Sequence, residues 1–225
     1  MANNFQERAG SFTVFLTALV LGVFSVTTTA GTIVGSDHDF STQQWSGGEI
    51  CVACHTPHNA DTSVSNAPLW NHAVTTTSFT VYSSPTMDAG AAGQPDASSK
   101  LCLSCHDGTV AVDSFGGVIG GNFLNGDEAV GAGGDLSDDH PISITYNTAL
   151  SSTDPGLHDP AATQVTLGQG GNRTKTGSIE SVMLIGGQVQ CSSCHDVHNT
   201  FTVPNTPLLT VSDAGSQLCL TCHNK

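Results

Sequence analysis

Hydrophobic and polar positions alternate only over short stretches of this chain, apart from one apolar run near its start. Residues 12–26 (FTVFLTALVLGVFSV) form a 15-residue apolar centre, preceded by Arg8 and followed by Thr28-Thr29-Ala30 before Gly31. That order predicts an export signal over residues 1–30 rather than a spanning helix, which wants about 20 apolar residues. No later stretch is apolar for long enough to cross a bilayer, so we expect an exported chain with no membrane span once the signal is cleaved.

Past residue 31 the pattern predicts little regular structure. Residues 140–146 (HPISITY) alternate as a strand does, and 165–167 and 182–184 are weaker strand candidates that would make one short hairpin. Residues 116–139 (GGVIGGNFLNGDEAVGAGGDLSDD) are rich in Gly and Asp, a composition suited to tight turns, close backbone approach or a linker. With 25 Gly and an aromatic share of 6%, a large side-chain core is not expected. The fold class that follows is mostly irregular, with short helices at the cysteine motifs and a few short strands. Five basic residues against 19 acidic ones give a formal charge of −14, which excludes nucleic acid and anionic membrane surfaces as partners.

The cysteines change the picture. All eight fall into four C-x-x-C pairs, Cys51/Cys54, Cys102/Cys105, Cys191/Cys194 and Cys219/Cys222, each followed at once by a histidine: His55, His106, His195 and His223. Two cysteines followed by histidine is the attachment signature of c-type haem. On a helical turn the two thiols and the histidine share one face, so both sulfurs can form thioethers while the imidazole reaches the iron. Two Cys₄ zinc sites would not need the histidine, thioredoxin-like pairs would need a βαβ setting, and disulfides between such near neighbours would close only tiny loops. The cofactor expected is therefore four covalently attached haems c with their iron, whose porphyrins would fill the interior.

The motifs are duplicated in pairs. Cys51-Val-Ala-Cys54-His55-Thr-Pro-His58-Asn59 matches Cys191-Ser-Ser-Cys194-His195-Asp-Val-His198-Asn199, and Asn66-Ala-Pro68-Leu69 matches Asn205-Thr-Pro207-Leu208. Asp96-Ala-Ser-Ser99 before Cys102 likewise matches Asp213-Ala-Gly-Ser216 before Cys219, with side-chain oxygens suited to capping the helix that follows. The organisation read from this is a signal over 1–30, a first dihaem unit over 31–108, a Gly-rich middle segment with the 140–146 strand over 109–188, and a second dihaem unit over 189–225.

A sixth ligand decides whether an iron binds substrate or only passes electrons. Beyond the four proximal histidines stand His38, His58, His72, His140, His158 and His198. His58 and His198 lie three residues after a proximal histidine, too near to swing across their own porphyrin, so each should reach a neighbouring haem. His140 is stiffened by Pro141, and His38 lies among Asp37 and Asp39, which can orient a ring nitrogen. These four are the expected distal ligands, with His72 and His158 as alternatives; Met87 and Met183 are not expected to ligate. No catalytic residue is expected, since a multihaem reductase needs an open or lysine-ligated iron and no C-x-x-C-K occurs.

The strings GSDHDF, CVACHTPHN, APLWNH, KLCLSCHDGTVA, DLSDDHPISITY, CSSCHDVHN and LCLTCHNK resemble the multihaem c-type cytochromes with doubled C-x-x-C-H motifs. Among these, the chain looks most like the tetrahaem outer-surface cytochromes (OmcE type) that form extracellular nanowires. The resemblance implies haems in alternating stacked and T-shaped pairs, every iron held by two histidines, and one axial histidine reaching into the next subunit. His58, His140 and His198 match that family's distal ligands, and His38 an N-terminal histidine that could be the one donated in trans; His72 departs from the pattern.

The expectation is a tetrahaem electron-transfer protein, not an enzyme. Its partners would be further copies of itself in a homopolymeric filament, redox-partner cytochromes and an extracellular electron acceptor. Its place would be outside the cell, at the surface. The rival reading is a monomeric periplasmic shuttle.

Overall fold

A computed structural model describes residues 33–171, 173–201, 203 and 208–225; the predicted export signal and the 204–207 part of the repeat lie outside these. Short elements are strung along much irregular chain: β1 Thr80–Val81, α1 Ala97–His106, β2 Asp135–Leu136, β3 Ile144–Thr145, α2 Thr148–Thr153, β4 Gln164–Leu167, β5 Lys175–Ser178, α3 Ile179–Val182, β6 Gln188–Val189, α4 Cys191–Cys194 and α5 Gln217–Cys222. The strands pair two by two. β1 runs parallel to β2, β3 antiparallel to β6, and β4 antiparallel to β5 with Gln164 opposite Ser178.

The fold class read from the sequence holds in outline, with three local corrections. Of the expected strand over 140–146 only Ile144–Thr145 pairs, because Pro141 has no amide hydrogen to give a ladder. The 165–167 strand is present, but its hairpin partner is Lys175–Ser178, whereas 182–184 begins as the last turn of α3. Ser178 starts that turn by accepting from Ser181 N, which diverts the apolar run into a helix. The third correction concerns helix entry. Neither Asp96 nor Ser216 makes a side-chain cap; Asp96 instead accepts from Gln190 Nε2 at 2.7 Å, across to the second unit.

Side chains bury themselves in three separate clusters rather than one core. The largest joins Tyr146, Leu167, Ile179, Met183, Leu184 and Val211, with Leu218 and Cys222 packed against it, so β4, β5 and α3 fold onto the fourth cysteine motif. Val64, Trp70 and Leu101 form a second cluster beside Cys54, and Phe79, Leu103 and Leu136 a third. Gly131 belongs to that third cluster, with φ +75°; a Cβ there would lie 3.0 Å from Leu136 and 3.2 Å from Phe79. Only glycine lets the Gly-rich segment press this closely on α1.

Candidate haem-iron centres

The four motifs fold as turns of helix, each closed by the histidine. His55 N donates to Cys51 O at 2.8 Å, His195 N to Cys191 O at 3.0 Å and His223 N to Cys219 O at 2.9 Å. Motif two ends α1, and motifs three and four form α4 and most of α5; motif one makes a single hydrogen-bonded turn, shorter than the helix expected there. The duplication is repeated bond for bond. Thr56 N donates to Leu69 O and Asp196 N to Leu208 O, at 2.9 and 2.8 Å; Asn71 N donates to Cys54 O and Thr210 N to Cys194 O, both at 2.9 Å. Asn59 and Asn199 take φ 54° and 50°, and Leu69 and Leu208 take 51° and 65°, so even the left-handed residues recur.

Backbone carbonyls aim the imidazoles. His55 Nδ1 donates to Pro68 O at 2.6 Å, His106 Nδ1 to Glu128 O at 2.7 Å and His140 Nδ1 to Pro141 O at 3.0 Å. A carbonyl can only accept, so in each ring Nδ1 carries the proton and Nε2 keeps its lone pair for a metal. Glu128 ends the turn Gly126–Glu128, which gives the Gly-rich segment a definite role as the strap that steers His106. Sequence reading missed these carbonyls because any residue type carries one.

Three of the expected proximal rings each face one of the expected distal rings, a pairing the sequence left open. Centroids are 6.0 Å apart for His38 and His106, 6.0 Å for His55 and His198, and 6.3 Å for His140 and His223. An iron held by two imidazoles sets their centroids roughly 6 Å apart, as two metal–nitrogen bonds of about 2 Å plus a ring offset of roughly 1 Å at each end. His58 is exposed, and among the described residues neither His58 nor His195 has a ring partner at that spacing.

Among the described residues, neither alternative faces a proximal ring at that spacing. His72 is 2% exposed, with Nδ1 2.7 Å from Ala73 O, and Nε2 2.9 Å from Ala111 O and 3.5 Å from Cys105 Sγ. His158 is tied by its backbone beside the fourth motif, its N donating to Cys222 O at 2.8 Å and its O accepting from Tyr146 Oη at 2.6 Å. Met183 is buried in the largest apolar cluster.

The attachment sulfurs form a continuous series. Burial, then Cys51, pushes the Cys54 thiol up to about 11, and burial, then Cys54 and Asp107, pushes Cys105 up to about 12. The neighbouring Cys191 thiol, then burial, raises Cys102, and Cys102 in turn lowers Cys191 to about 7. Burial, then Cys191 and Cys219, lifts Cys194 to about 11, while burial, then Cys194, lifts Cys222 to about 12. Among the described residues no three His, Cys, Asp or Glu side chains converge as a metal group, and all eight cysteines are free of disulfides.

Burial also holds His38, His195 and His223 below the ordinary imidazole value, helped by His106 beside His38 and His195 and by His140 beside His223. A ring kept neutral keeps the lone pair that ligation needs. The buried Nδ1 of His38 and Nε1 of Trp70 have no hydrogen-bond partner among the described residues, as expected of a cradle built around a polar prosthetic group. Paired sulfurs, neutral imidazoles and ring spacing all fit c-type haem.

No curated protein matches the chain. Residues 185–225, which hold the third and fourth motifs, match the family described as doubled CXXCH motif, and with the same signature at the first two motifs that match supports a multihaem c-type cytochrome.

Proposed function

We propose that the chain carries four haems c, each iron held between two histidines, and acts as the subunit of an extracellular electron-conducting filament. The three imidazole pairs at 6.0–6.3 Å carry this reading, since they match the spacing that one iron imposes and join rings far apart in sequence. When bound, the haems supply one-electron redox chemistry; the polypeptide holds each iron's ligands, spacing and electrostatic surroundings. His55, His106, His195 and His223 serve as proximal ligands, with His198, His38 and His140 opposite the first, second and fourth. His58, the repeat counterpart of His198, is assigned to His195 as the reciprocal of the His198–His55 pair. His38 faces His106 of its own chain, which argues against it as the ligand donated to a neighbour. The doubled-CXXCH family favours electron transfer over catalysis.

Assembly is supported by the resemblance and by apolar side chains set outward on an acidic chain. Val118, Ile119 and Phe123 are 65%, 94% and 52% exposed along one Gly-rich loop. Such a cluster marks a contact surface. Cryo-electron microscopy of material sheared from expressing cells tests the reading: filaments with an unbroken row of haems are expected. Discrete particles confined to the periplasm would replace the filament by the monomeric shuttle. Voltammetry of the purified protein is expected to place most potentials below that of the standard hydrogen electrode, since two histidine ligands and a charge of −14 both favour ferric iron. Potentials clustered well above it would overturn the two-histidine assignment.

A further inference from the structure

Where the two units meet, one amide side chain is saturated with partners. Gln190, just before Cys191, is 1% exposed. Its Oε1 accepts from Ser99 N and from Ser143 Oγ, each at 3.3 Å, and its Nε2 donates to Asp96 Oδ1 at 2.7 Å and Gln188 Oε1 at 3.3 Å. An amide has two acceptor lone pairs and two donor hydrogens, so all four positions are used. The carboxylate of Asp96 can only accept, which settles which end of the amide faces it.

These partners lie just before β3, on β6, on α1 and at the residue that opens α1. Further bonds close the same seam: Cys191 N donates to Ser99 Oγ at 2.9 Å, Asp96 N to Ser143 Oγ at 3.0 Å, and Ser98 Oγ lies 2.6 Å from Ser192 Oγ. Ser99 is fully buried. A fully paired buried network defines one arrangement, because any shift leaves a polar atom unpaired at about 1–3 kcal/mol each. What it clamps is the junction of α1 and α4, the helices that carry Cys102 and Cys191, joined by the Ser98–Ser192 and Cys191–Ser99 bonds. These are the first attachment cysteines of motifs two and three, so the two haem sites adjoin there.

We infer that Gln190 is a positioning residue that sets the spacing of the second and third haem sites, making this polar seam one place where electrons cross between the two dihaem units; the His198–His55 pair joins them at another. The inference rests on the four-haem reading above. Electron transfer falls steeply with distance, so a spacing fixed at this seam controls passage between the second and third sites.

The test compares holoprotein carrying Gln190→Glu with wild type. The substitution keeps the acceptor for Ser99 N but sets a carboxylate against that of Asp96. Four haems by intact mass in the wild type establish the underlying reading, and fewer would sink that reading independently. The expected result is four haems in the variant, an altered Soret exciton couplet in circular dichroism, and shifted potentials at two of the four centres. Asp113→Ala, which frees the loop held by its bonds to Gly121 N and Asn122 N, is the control for general destabilisation: it should lower the melting temperature and leave the couplet unchanged. A Gln190→Glu protein that melts lower but keeps the wild-type couplet and potentials would reduce Gln190 to a structural residue and overturn the inference. Should that variant fail to fold, Ser98→Ala removes only the rim bond to Ser192; a smaller change in the couplet is expected, and no change would likewise overturn it.

Discussion

A histidine whose Nδ1–H is spent on a backbone carbonyl offers Nε2 alone to a metal, and that sorts the histidines here. His55, His106 and His140 have such a tie, whereas His72 meets a carbonyl at both nitrogens. His140→Ala should therefore turn one of the four irons high-spin, read by electron paramagnetic resonance. His72→Gln should leave every iron low-spin and cost about 1–3 kcal/mol, by chemical denaturation, from an unpaired buried carbonyl.

Among elements, the short strands and turns act less as a scaffold of their own than as mounts for the motifs. Tyr146, at the end of β3, donates its hydroxyl to His158 O at 2.6 Å and lies 3.3 Å from Cys222 O, tying the middle segment to the fourth motif. Burial raises the phenol's pKa well beyond its ordinary value, so it stays a donor throughout the working range. Tyr146→Phe should cost about 1 kcal/mol, seen as a lower midpoint in urea with all four haems retained. The motif turns themselves were legible in the sequence, since C-x-x-C-H dictates its own local geometry. Their caps were not: Asp96 and Ser99 look like residues that close α1, but both reach across to the Gln190–Cys191 end of α4 instead. Local propensity cannot tell a near acceptor from a distant donor when both lie within reach of the same oxygen.

For the molecule as a whole, three small apolar clusters and a formal charge of −14 leave little to hold the chain together besides hydrogen bonds and bound porphyrin. On the proposed filament reading, the exposed Ile119 is where assembly is most open to a single change. Ile119→Asp should abolish filaments in negative-stain images while haem content and melting temperature stay as in wild type, because a solvent-facing substitution alters monomer stability by only about 0.5 kcal/mol. Filaments persisting unchanged would remove this loop from the contact.

The sequence alone determined the chemistry: four C-x-x-C-H motifs, their duplication, the proximal histidines and the scarcity of a side-chain core all follow from residue type and spacing, which covalent attachment constrains directly. It also narrowed the distal ligands to six histidines. Only the tertiary structure decided which rings face which, that His38 turns toward His106, that His72 is sealed between carbonyls, and that Gln190 gathers both units. Those outcomes depend on backbone carbonyls and on contacts between residues as far apart as His55 and His198, and neither leaves a trace in local sequence, because every residue has a carbonyl and no short pattern encodes a distant partner.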